Sequence, residues 1–507
     1  MKSERIINTK RNAIWAAISK IVSIIFPFLS RTVLIHILGI EYIGLNGLFS
    51  SILQVLSLAE LGFSSAIIYS MYKPLGEEED ETVCALLQFY KKIYSIIGLF
   101  VLGVGGVLIP FLPKLINGDY PSQVNLYVIY LIYLSNTVIS YFLFAYKKSL
   151  LTALQRNDLI SKVTLANKVI LCLFQIIVLT LFKNFYIYLI IIPITTITDN
   201  LMSNWLATKY YGKYIPSGKL DSSTKHDIIE KTKGLLLHKI CGVTRNACDN
   251  IVISIFLGIT PVGIYSNYYY IMTSIRGMLD VISVSMSASI GNSVAFESVE
   301  KNYENLNVFT FMYEWICGWC TICLLCLYQP FMKIWTGEKG LFSFDIVIAL
   351  CIYFYVWTMG DMKSQYSDAN GLWYKDRFRT MCEAIGNVVL NVILVQRMGV
   401  FGVVIATVIS YLIIGFPWST KILFDNYFCK MGFRKYMLSH VKYAAVTLVA
   451  GSVTYYVTSK MPFEGIINLM LIGICCVVLP NIIYVCAYRK SVYLEPTFDY
   501  VKKVLGK

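Results

Sequence analysis

Long apolar stretches with few charges follow one another along the whole chain, separated by short polar connections. Each stretch has about 20 or more residues, the length that a helix needs to cross the hydrocarbon core of a bilayer. The apolar residues are continuous and do not alternate, which argues against the strands of a transmembrane barrel. We therefore predict an all-α integral membrane protein with about fourteen transmembrane helices. The predicted spans are residues 12–36, 43–70, 88–112, 123–146, 160–182, 185–207, 234–258, 262–290, 306–332, 343–364, 378–397, 399–422, 440–459 and 465–488.

The positive charges agree with this number of spans. If the N-terminus lies in the cytoplasm, 34 of the 44 Lys and Arg residues fall on cytoplasmic segments and 6 on external loops. Cytoplasmic loops of membrane proteins carry such an excess of positive charge. A missed or additional helix would reverse the pattern downstream, and the alternation continues to the end of the chain. We therefore expect a multi-pass protein with both termini in the cytoplasm.

Composition supports a membrane protein and narrows its chemistry. Apolar residues make up 57% of the chain and charged residues 15%, with a mean hydropathy of +0.62, whereas soluble domains have about 25% charged residues. The 14 cysteines lie mainly in apolar segments and the 4 histidines are scattered, so we expect no disulfide, metal site or cofactor. The chain has no P-loop motif for ATP, and we expect no nucleic-acid partner.

A short internal repeat predicts two related halves. The residues from Leu38 to Gly44 recur as Leu257 to Gly263, each copy at the turn between the first and second spans of its half. Six spans per half is an even number, so both halves enter the membrane in the same sense and should be related by a pseudo-two-fold axis along the membrane normal. The predicted parts are an N-lobe (1–207), a cytoplasmic linker (208–233), a C-lobe (234–422), two extra C-terminal spans (423–488) and a cytoplasmic tail (489–507).

Ionisable residues within the predicted spans are the candidate functional groups. A charged side chain at mid-membrane costs about 2.5–3.5 kcal/mol, so it normally faces a bundle interior or a hydrated cavity. We expect a shared cavity between the two lobes. The charged residues in question are Lys20, Arg31, Glu60, Asp199, Arg245, Asp249, Arg276, Asp280, Glu314 and Asp361.

Two interpretations of these charges are open. Arg245 with Asp249, and Arg276 with Asp280, are spaced as i, i+4 pairs on a helix, so each pair could simply neutralise itself. In the functional interpretation, Lys20, Arg31, Arg245 and Arg276 bind an anionic substrate. The carboxylates of Glu60, Asp249 and Asp280 then exchange a proton or Na⁺. Guanidinium groups suit phosphate, because their forked donors match two phosphate oxygens.

Four segments carry a family resemblance. Residues 57–75, 247–258, 366–394 and 398–410 resemble the second, the seventh, the tenth-to-eleventh and the twelfth spans of Wzx-type polysaccharide and O-antigen flippases. These flippases belong to the multidrug/oligosaccharidyl-lipid/polysaccharide exporter superfamily. The resemblance implies a bundle of twelve core helices and two extra ones in a bacterial inner membrane.

The resemblance also implies a function. Such a protein moves undecaprenyl-pyrophosphate-linked oligosaccharide outward by alternating access, for surface polysaccharides such as capsule or O-antigen. The family's cavity cations would fall on Lys20, Arg31, Arg245 and Arg276, and its coupling acids on Glu60, Asp249 and Asp280. Implied partners are the lipid-linked oligosaccharide, membrane lipids, a coupling H⁺ or Na⁺, a polysaccharide polymerase and chain-length machinery.

Two other functions remain as alternatives. One is an ion-coupled drug exporter of the same superfamily, although cationic drugs favour an acidic cavity and these spans are rich in cations. The other is a membrane glycan polymerase or glycosyltransferase. Enzymes of that kind carry a large external loop, whereas the external connections predicted here are short. We therefore expect a transporter without catalytic residues.

Overall fold

The computed structural model describes residues 2–504 except Leu61; side chains are outside the description at 2–14, 16–17, 59, 231, 233–241, 244–246, 501 and 503–504. The chain divides into two compact units, Met1–Ser266 (unit 1) and Asn267–Lys507 (unit 2). All regular structure in the described residues is helical. The helices of the first part are α1 (Lys2–Ile37), α2 (Ile40–Leu56), α3 (Phe63–Gly76), α4 (Asp80–Leu108), α5 (Leu126–Phe142), α6 (Ala145–Ala153), α7 (Asn157–Phe182), α8 (Phe185–Tyr211) and α9 (Ser222–Leu257).

The second part continues with helices of the same kind, and the boundary between the units falls within α10. Its helices are α10 (Ile259–Phe296), α11 (Val299–Thr336), α12 (Phe344–Thr358), α13 (Asp361–Ala369), α14 (Trp373–Ser410), α15 (Phe416–Asn426), α16 (Phe433–Ser459), α17 (Gly465–Tyr488) and α18 (Leu494–Val504). Short 3-10 segments occur at Ser57–Glu60, Ile109–Leu115 and Glu338–Gly340, and a π-helical turn at Tyr411–Gly415.

Each predicted span overlaps one of these helices or a broken pair of them, except that the eleventh and twelfth share α14 and the twelfth continues into α15. Nine helical stretches of the described residues are long and apolar enough to cross a membrane, or ten if α5 and α6, bent by 52°, form one span. Many of their large apolar side chains face outward, among them Leu181 (70% exposed) and Ile413 (69%). Such exposure suits lipid and not water. The chain is therefore an all-α, multi-pass membrane protein.

Besides the bent pair α5 and α6, two predicted spans are interrupted, and two others meet at a break in the backbone. The second consists of α2 and α3, joined by a 3-10 turn and by Gly62 at φ 100°. The tenth consists of α12 and α13, with a break at Met359 and Gly360. The eleventh and twelfth meet at Gly399, whose backbone (φ 58°, ψ −140°) is not helical. Broken helices at membrane depth leave backbone groups that neighbouring side chains must satisfy, and they often mark transporter sites.

Side-chain caps fix where several helices begin. Asn125 and Asn184 each accept hydrogen bonds from two backbone amides of the following turn. Asp221 caps α9 by accepting from the amide of Thr224 at 2.8 Å. The Ser223 hydroxyl and this amide hold the pKa of the Asp221 carboxyl below its usual range. Such caps satisfy donors that the first turn of a helix cannot pair internally.

The two copies of the predicted repeat contact each other within unit 1. A Cβ atom at Gly44 would lie 2.2 Å from the carbonyl oxygen of Ile259, and one at Gly263 would lie 2.3 Å from the carbonyl oxygen of Ile40. Gly44 of the first copy thus contacts Ile259 of the second, and Gly263 of the second contacts Ile40 of the first; in each case the contacted residue precedes the other glycine by four positions. The contact is reciprocal, as a two-fold relation between the copies requires. It brings the backbones at the start of α2 and the start of α10 closer than any residue with a Cβ allows.

Candidate functional site

A carboxylate lies at the break of the second span. Glu60 ends the 3-10 turn between α2 and α3, and its Oε1 accepts a hydrogen bond from the Tyr94 hydroxyl at 2.5 Å. The Tyr94 ring stacks on Tyr90 at 4.2 Å and meets Tyr141 edge-on at 5.7 Å. Sequence spacing predicted Glu60 as a site residue, whereas the surrounding tyrosines come from α4 and α5. The arrangement holds one carboxylate among aromatic rings within the bundle of unit 1.

A polar cluster between α1, α6, α7 and α8 contains more cations than acids. The Lys168 Nζ donates to the Ser23 hydroxyl at 2.6 Å, and Lys20, one turn before Ser23, lies close enough to Lys168 for the two ammonium groups to repel each other. Lys148 forms an ion pair with Asp199. The described residues of this cluster therefore bring three ammonium groups to one carboxylate, which leaves a positive region inside apolar helices.

The other predicted residues of unit 1 lie in different surroundings. Arg31 is on α1, three turns beyond Lys20, near the buried Tyr188 of α8. Asp249 on α9 is fully buried, and its Oδ2 accepts from the Tyr265 hydroxyl at 2.9 Å. Arg245 lies on α9, but its side chain is outside the described residues. The predicted pair of Arg245 and Asp249 therefore stays a prediction.

Arg276 is the centre of an ion-pair network in unit 2. Its Nε lies 3.2 Å from Asp280, as the i, i+4 spacing predicted. Its Nη2 lies 2.6 Å from Asp361 on α13, and its guanidinium covers the ring of Trp357 at 5.1 Å. The Tyr313 hydroxyl donates to the second oxygen of Asp361 at 2.5 Å. Arg276 and Asp361 are nearly buried, while the Asp280 side chain is 49% exposed.

Unit 2 contains a second charged cluster that sequence reasoning did not identify. Arg379 on α14 bridges Asp376 and Glu383, one turn before and one turn after it. Lys363 is 4% exposed, donates to the Ser419 hydroxyl and lies 5.5 Å from the ring of Phe416. Helical spacing could have predicted both Arg379 pairs. Nothing in the sequence relates Lys363 to a hydroxyl 56 residues away.

Lys168 is the most important residue that the sequence analysis missed. It lies inside the predicted span 160–182 and was counted with the positive charges of the cytoplasmic flank. Its depth along the helix could have identified it, since Lys168 begins the fourth turn of α7, which starts at Asn157. Asp361 and Asp199 were recognised as membrane-embedded charges, but their partners could not be predicted from helical spacing.

Comparison with solved structures shows the fold. A lipid II flippase, MurJ, in an inward closed conformation, is 16% identical over 94% of this chain and 99% of its own, with a TM-score of 0.65. An inward-facing multidrug resistance transporter of the MATE family in the MOP superfamily is 14% identical over 80% and 98%, also at 0.65. A MOP superfamily transporter from Pyrococcus furiosus is 14% identical over 82% and 95%, at 0.57.

The sequence itself identifies the family. No curated protein matches the chain. A family profile described as polysaccharide biosynthesis protein matches residues 9–288, more than half of the chain. That range contains the polar cluster of unit 1, the broken second span and both copies of the glycine repeat. Together with the fold that the chain shares with these flippase and transporter structures, this match shows that the chain is a multi-pass membrane protein of the polysaccharide biosynthesis protein family.

Proposed function

We propose that this protein moves undecaprenyl-pyrophosphate-linked oligosaccharide repeat units from the cytoplasmic to the outer face of a bacterial inner membrane, by alternating access and without covalent change. The observation that carries the proposal is the excess of cations in the polar cluster of unit 1, where Lys20, Lys148 and Lys168 meet one carboxylate. A pyrophosphate supplies the missing negative charge. Membership of a polysaccharide biosynthesis family supports the same substrate class.

Electrostatics favours an anionic substrate over a cationic drug. An uncompensated ammonium group inside apolar helices is costly, and binding an anion there lowers that cost. Lys20 and Arg31 on α1, together with Arg245 on α9, are the proposed pyrophosphate and sugar ligands. Lys168 joins them because of its proximity to Lys20. The polyprenyl tail, which carries no charge, stays in lipid.

Arg276 takes part in a different way. Its guanidinium already has two carboxylate partners, Asp361 and Asp280. Asp280 is half-exposed and Asp361 is nearly buried, so Asp280 is the partner that a substrate phosphate displaces more easily. We propose that Arg276 stays bonded to Asp361 and exchanges Asp280 for substrate oxygen.

The proposed coupling groups are Glu60, Asp249 and Asp280, and the coupling ion is H⁺ or Na⁺. An ion shifts the equilibrium between inward and outward states only through different affinities for the two. Glu60 is suited to this role, because it lies at a helix break and accepts a hydrogen bond from the Tyr94 hydroxyl of α4. If α3 and α4 change their relative position, the environment of the carboxylate changes.

The remaining parts of the proposal follow from the predicted topology. The lobes are residues 1–207 and 234–422, with both termini in the cytoplasm. Further proposed partners are a polysaccharide polymerase and chain-length machinery, for synthesis of capsule or O-antigen. Deletion of the gene should cause lipid-linked precursor to accumulate on the cytoplasmic side and surface polysaccharide to disappear.

Neutralising the cations of unit 1 tests the substrate class. Lys20→Gln and Lys168→Gln should each weaken binding of the lipid-linked oligosaccharide about ten- to a hundredfold, because a charge-assisted hydrogen bond contributes about 1.5–3 kcal/mol. Translocation is measured in proteoliposomes with purified protein and labelled undecaprenyl-pyrophosphate oligosaccharide. A wild-type protein that transports cationic drugs and not this lipid would contradict the proposal.

A matched control separates this effect from a general loss of charge. Lys339 is an exposed lysine in the short 3-10 segment at Glu338–Gly340, so Lys339→Gln should bind and translocate like the wild type. If Lys20→Gln, Lys168→Gln and Lys339→Gln all behave alike, the cluster of unit 1 is not the anion site.

Glu60→Gln tests the coupling. Glutamine keeps the size of the side chain and still accepts the Tyr94 hydroxyl, but it cannot bind a proton or Na⁺ as a carboxylate does. We expect translocation driven by an imposed H⁺ or Na⁺ gradient to fall to the level without a gradient, while binding of the lipid-linked oligosaccharide is unchanged. The control is Glu338→Gln, on an exposed surface pair. Gradient-dependent transport by Glu60→Gln would assign coupling to another carboxylate.

A further inference from the structure

Unit 2 contains an apolar cavity of about 620 Å³ that the proposed transport does not use. It lies between α11, α12, α15 and α16, and its size is within the range of small-molecule and lipid sites. Most of its wall is hydrocarbon, including Ile322, Leu325, Ile348 and Gly451. Several polar side chains also line the wall, among them Tyr355 and His440. The cavity therefore combines a long apolar surface with a polar region.

The polar region contains hydrogen-bonding atoms without partners. His440 Nδ1 bonds to Glu314 Oε1 at 2.8 Å, which leaves Nε2 of the same ring available. Among the described residues, His440 Nε2 and the Tyr355 hydroxyl have no hydrogen-bond partner in good geometry, and Glu314 lies near the Tyr355 hydroxyl. His440 is 5% exposed and Tyr355 8%. Buried polar atoms are nearly always bonded, and leaving one unpaired costs about 1–3 kcal/mol. The Tyr355 hydroxyl is a donor, so it points to a ligand with an oxygen that accepts a hydrogen bond.

Basic residues lie one turn beyond one end of the cavity. On α15, Lys421 follows the cavity residue Pro417 by four positions, and on α16 Arg434 precedes the cavity residue Met437 by three. Residues at these spacings share a helix face. Both side chains are exposed, and α15 and α16 are joined at this end by a short connection. Positive charge is thus concentrated here. The charged residues between 418 and 442 are Lys421, Asp425, Lys430, Arg434, Lys435 and Lys442.

We propose that this cavity binds an anionic glycerophospholipid of the surrounding bilayer, separately from the transported substrate. One acyl chain fills the apolar part along α16, an ester oxygen accepts a hydrogen bond from the Tyr355 hydroxyl, and the phosphate lies at Lys421 and Arg434. Arg434 precedes His440 by six residues, about 9 Å along a helix, a separation that a glycerol backbone and a flexible arginine span. On the predicted topology this lipid belongs to the cytoplasmic leaflet, where anionic headgroups attract basic segments.

The lipid identity follows from the combination of features. A polyprenyl chain has no oxygen along its length to accept a hydrogen bond from the Tyr355 hydroxyl, and a neutral lipid has no net charge for the basic end. An anionic glycerophospholipid has the acyl chain, the ester oxygens and the phosphate at the required places.

Binding is tested on the full-length protein, delipidated in detergent and titrated with phosphatidylglycerol or phosphatidylcholine of the same acyl chains, by native mass spectrometry. We expect phosphatidylglycerol to bind more tightly. Gly451→Leu should weaken its binding about tenfold or more by filling the cavity. Lys421→Gln and Arg434→Gln should each weaken it about fivefold and reduce the preference over phosphatidylcholine.

Folding and site identity are controlled by three further measurements. A Cβ at Gly451 would meet Ile322 and Leu325 at 3.5 and 3.8 Å, ordinary contact distances, so Gly451→Leu should stay folded. Gly473→Leu makes the same change on α17, in a different apolar groove of unit 2, and should bind phosphatidylglycerol like the wild type. Tyr355→Phe keeps the shape of the wall and should weaken binding severalfold.

Three outcomes would overturn the proposal. One is equal phosphatidylglycerol binding by the wild type and Gly451→Leu, and another is equal affinity of the wild type for the two lipids. The third is displacement of phosphatidylglycerol by undecaprenyl phosphate in the wild type and not in Gly451→Leu, since this would assign the cavity to the polyprenyl chain. None of these outcomes bears on the cation cluster of unit 1, so the lipid site and the transport proposal fail independently.

Discussion

Arg276→Gln is expected to destabilise the protein by about 3–5 kcal/mol, because it leaves a nearly buried carboxylate without its cation. Asp361 depends on Arg276 at 2.6 Å and on the Tyr313 hydroxyl at 2.5 Å. After the substitution, only the tyrosine and a neutral amide remain near the charge. The half-exposed Asp280 is solvated and should contribute little to the loss.

Thermal unfolding of the purified protein in detergent measures this effect. The double variant Arg276→Gln/Asp361→Asn removes both charges and should recover much of the lost stability, because the penalty arises from the unpaired carboxylate. Arg397→Gln replaces an exposed arginine on α14 and should leave the unfolding temperature unchanged. If Arg276→Gln unfolds like the wild type, Arg276 does not stabilise unit 2, and any loss of transport in that variant reflects substrate binding alone.

This network shows how far helical spacing predicts a site. The pair of Arg276 and Asp280 follows from i, i+4 positions on one helix, and the structure confirms it at 3.2 Å. Asp361 lies 85 residues away on another helix. Its position depends on how α10 packs against α13, and a hydropathy pattern does not contain that information. The sequence therefore identified Asp361 as a buried charge without identifying its partner.

The fold was predictable because lipid imposes simple rules. Every span must be helical and about 20 residues long, so apolar length alone places the helices. The breaks were harder to predict. The 3-10 turn at Ser57–Glu60 lies within an apolar stretch, where hydropathy does not change, whereas the non-helical Gly399 falls at the predicted boundary between the eleventh and twelfth spans. Glu60 was the available signal for the first break, since a charged residue inside a span needs a polar environment.

Charge counting had a specific weakness in this protein. The positive-inside rule treats a lysine near a predicted boundary as part of the cytoplasmic flank, and Lys168 was assigned in that way. The structure places it inside α7, bonded to Ser23 of α1. A long lysine stem can reach either the headgroups or a polar partner inside the bundle. The sequence alone does not decide between them.

Gly44→Ala is expected to destabilise the protein by about 3 kcal/mol, the upper end of the cost of overpacking. The new Cβ would lie 2.2 Å from the carbonyl oxygen of Ile259, and a backbone atom cannot move aside as a flexible side chain does. The helices at this contact must separate. Gly263→Ala should have a similar effect, because its Cβ would lie 2.3 Å from the carbonyl oxygen of Ile40.

The control is Gly103→Ala on α4, where a Cβ would meet nothing within 4 Å. Alanine is a better helix former than glycine by about 1 kcal/mol, so this variant should unfold at the wild-type temperature or above it. Thermal unfolding of the three alanine variants in the same detergent should therefore give a lower unfolding temperature for Gly44→Ala and Gly263→Ala. The same glycine-to-alanine change at Gly103 should give an equal or higher one. If Gly44→Ala and Gly263→Ala match Gly103→Ala, the two copies of the repeat do not pack backbone to backbone. If only the two repeat variants lose stability, the short glycine motif specifies the contact between the repeat's two copies.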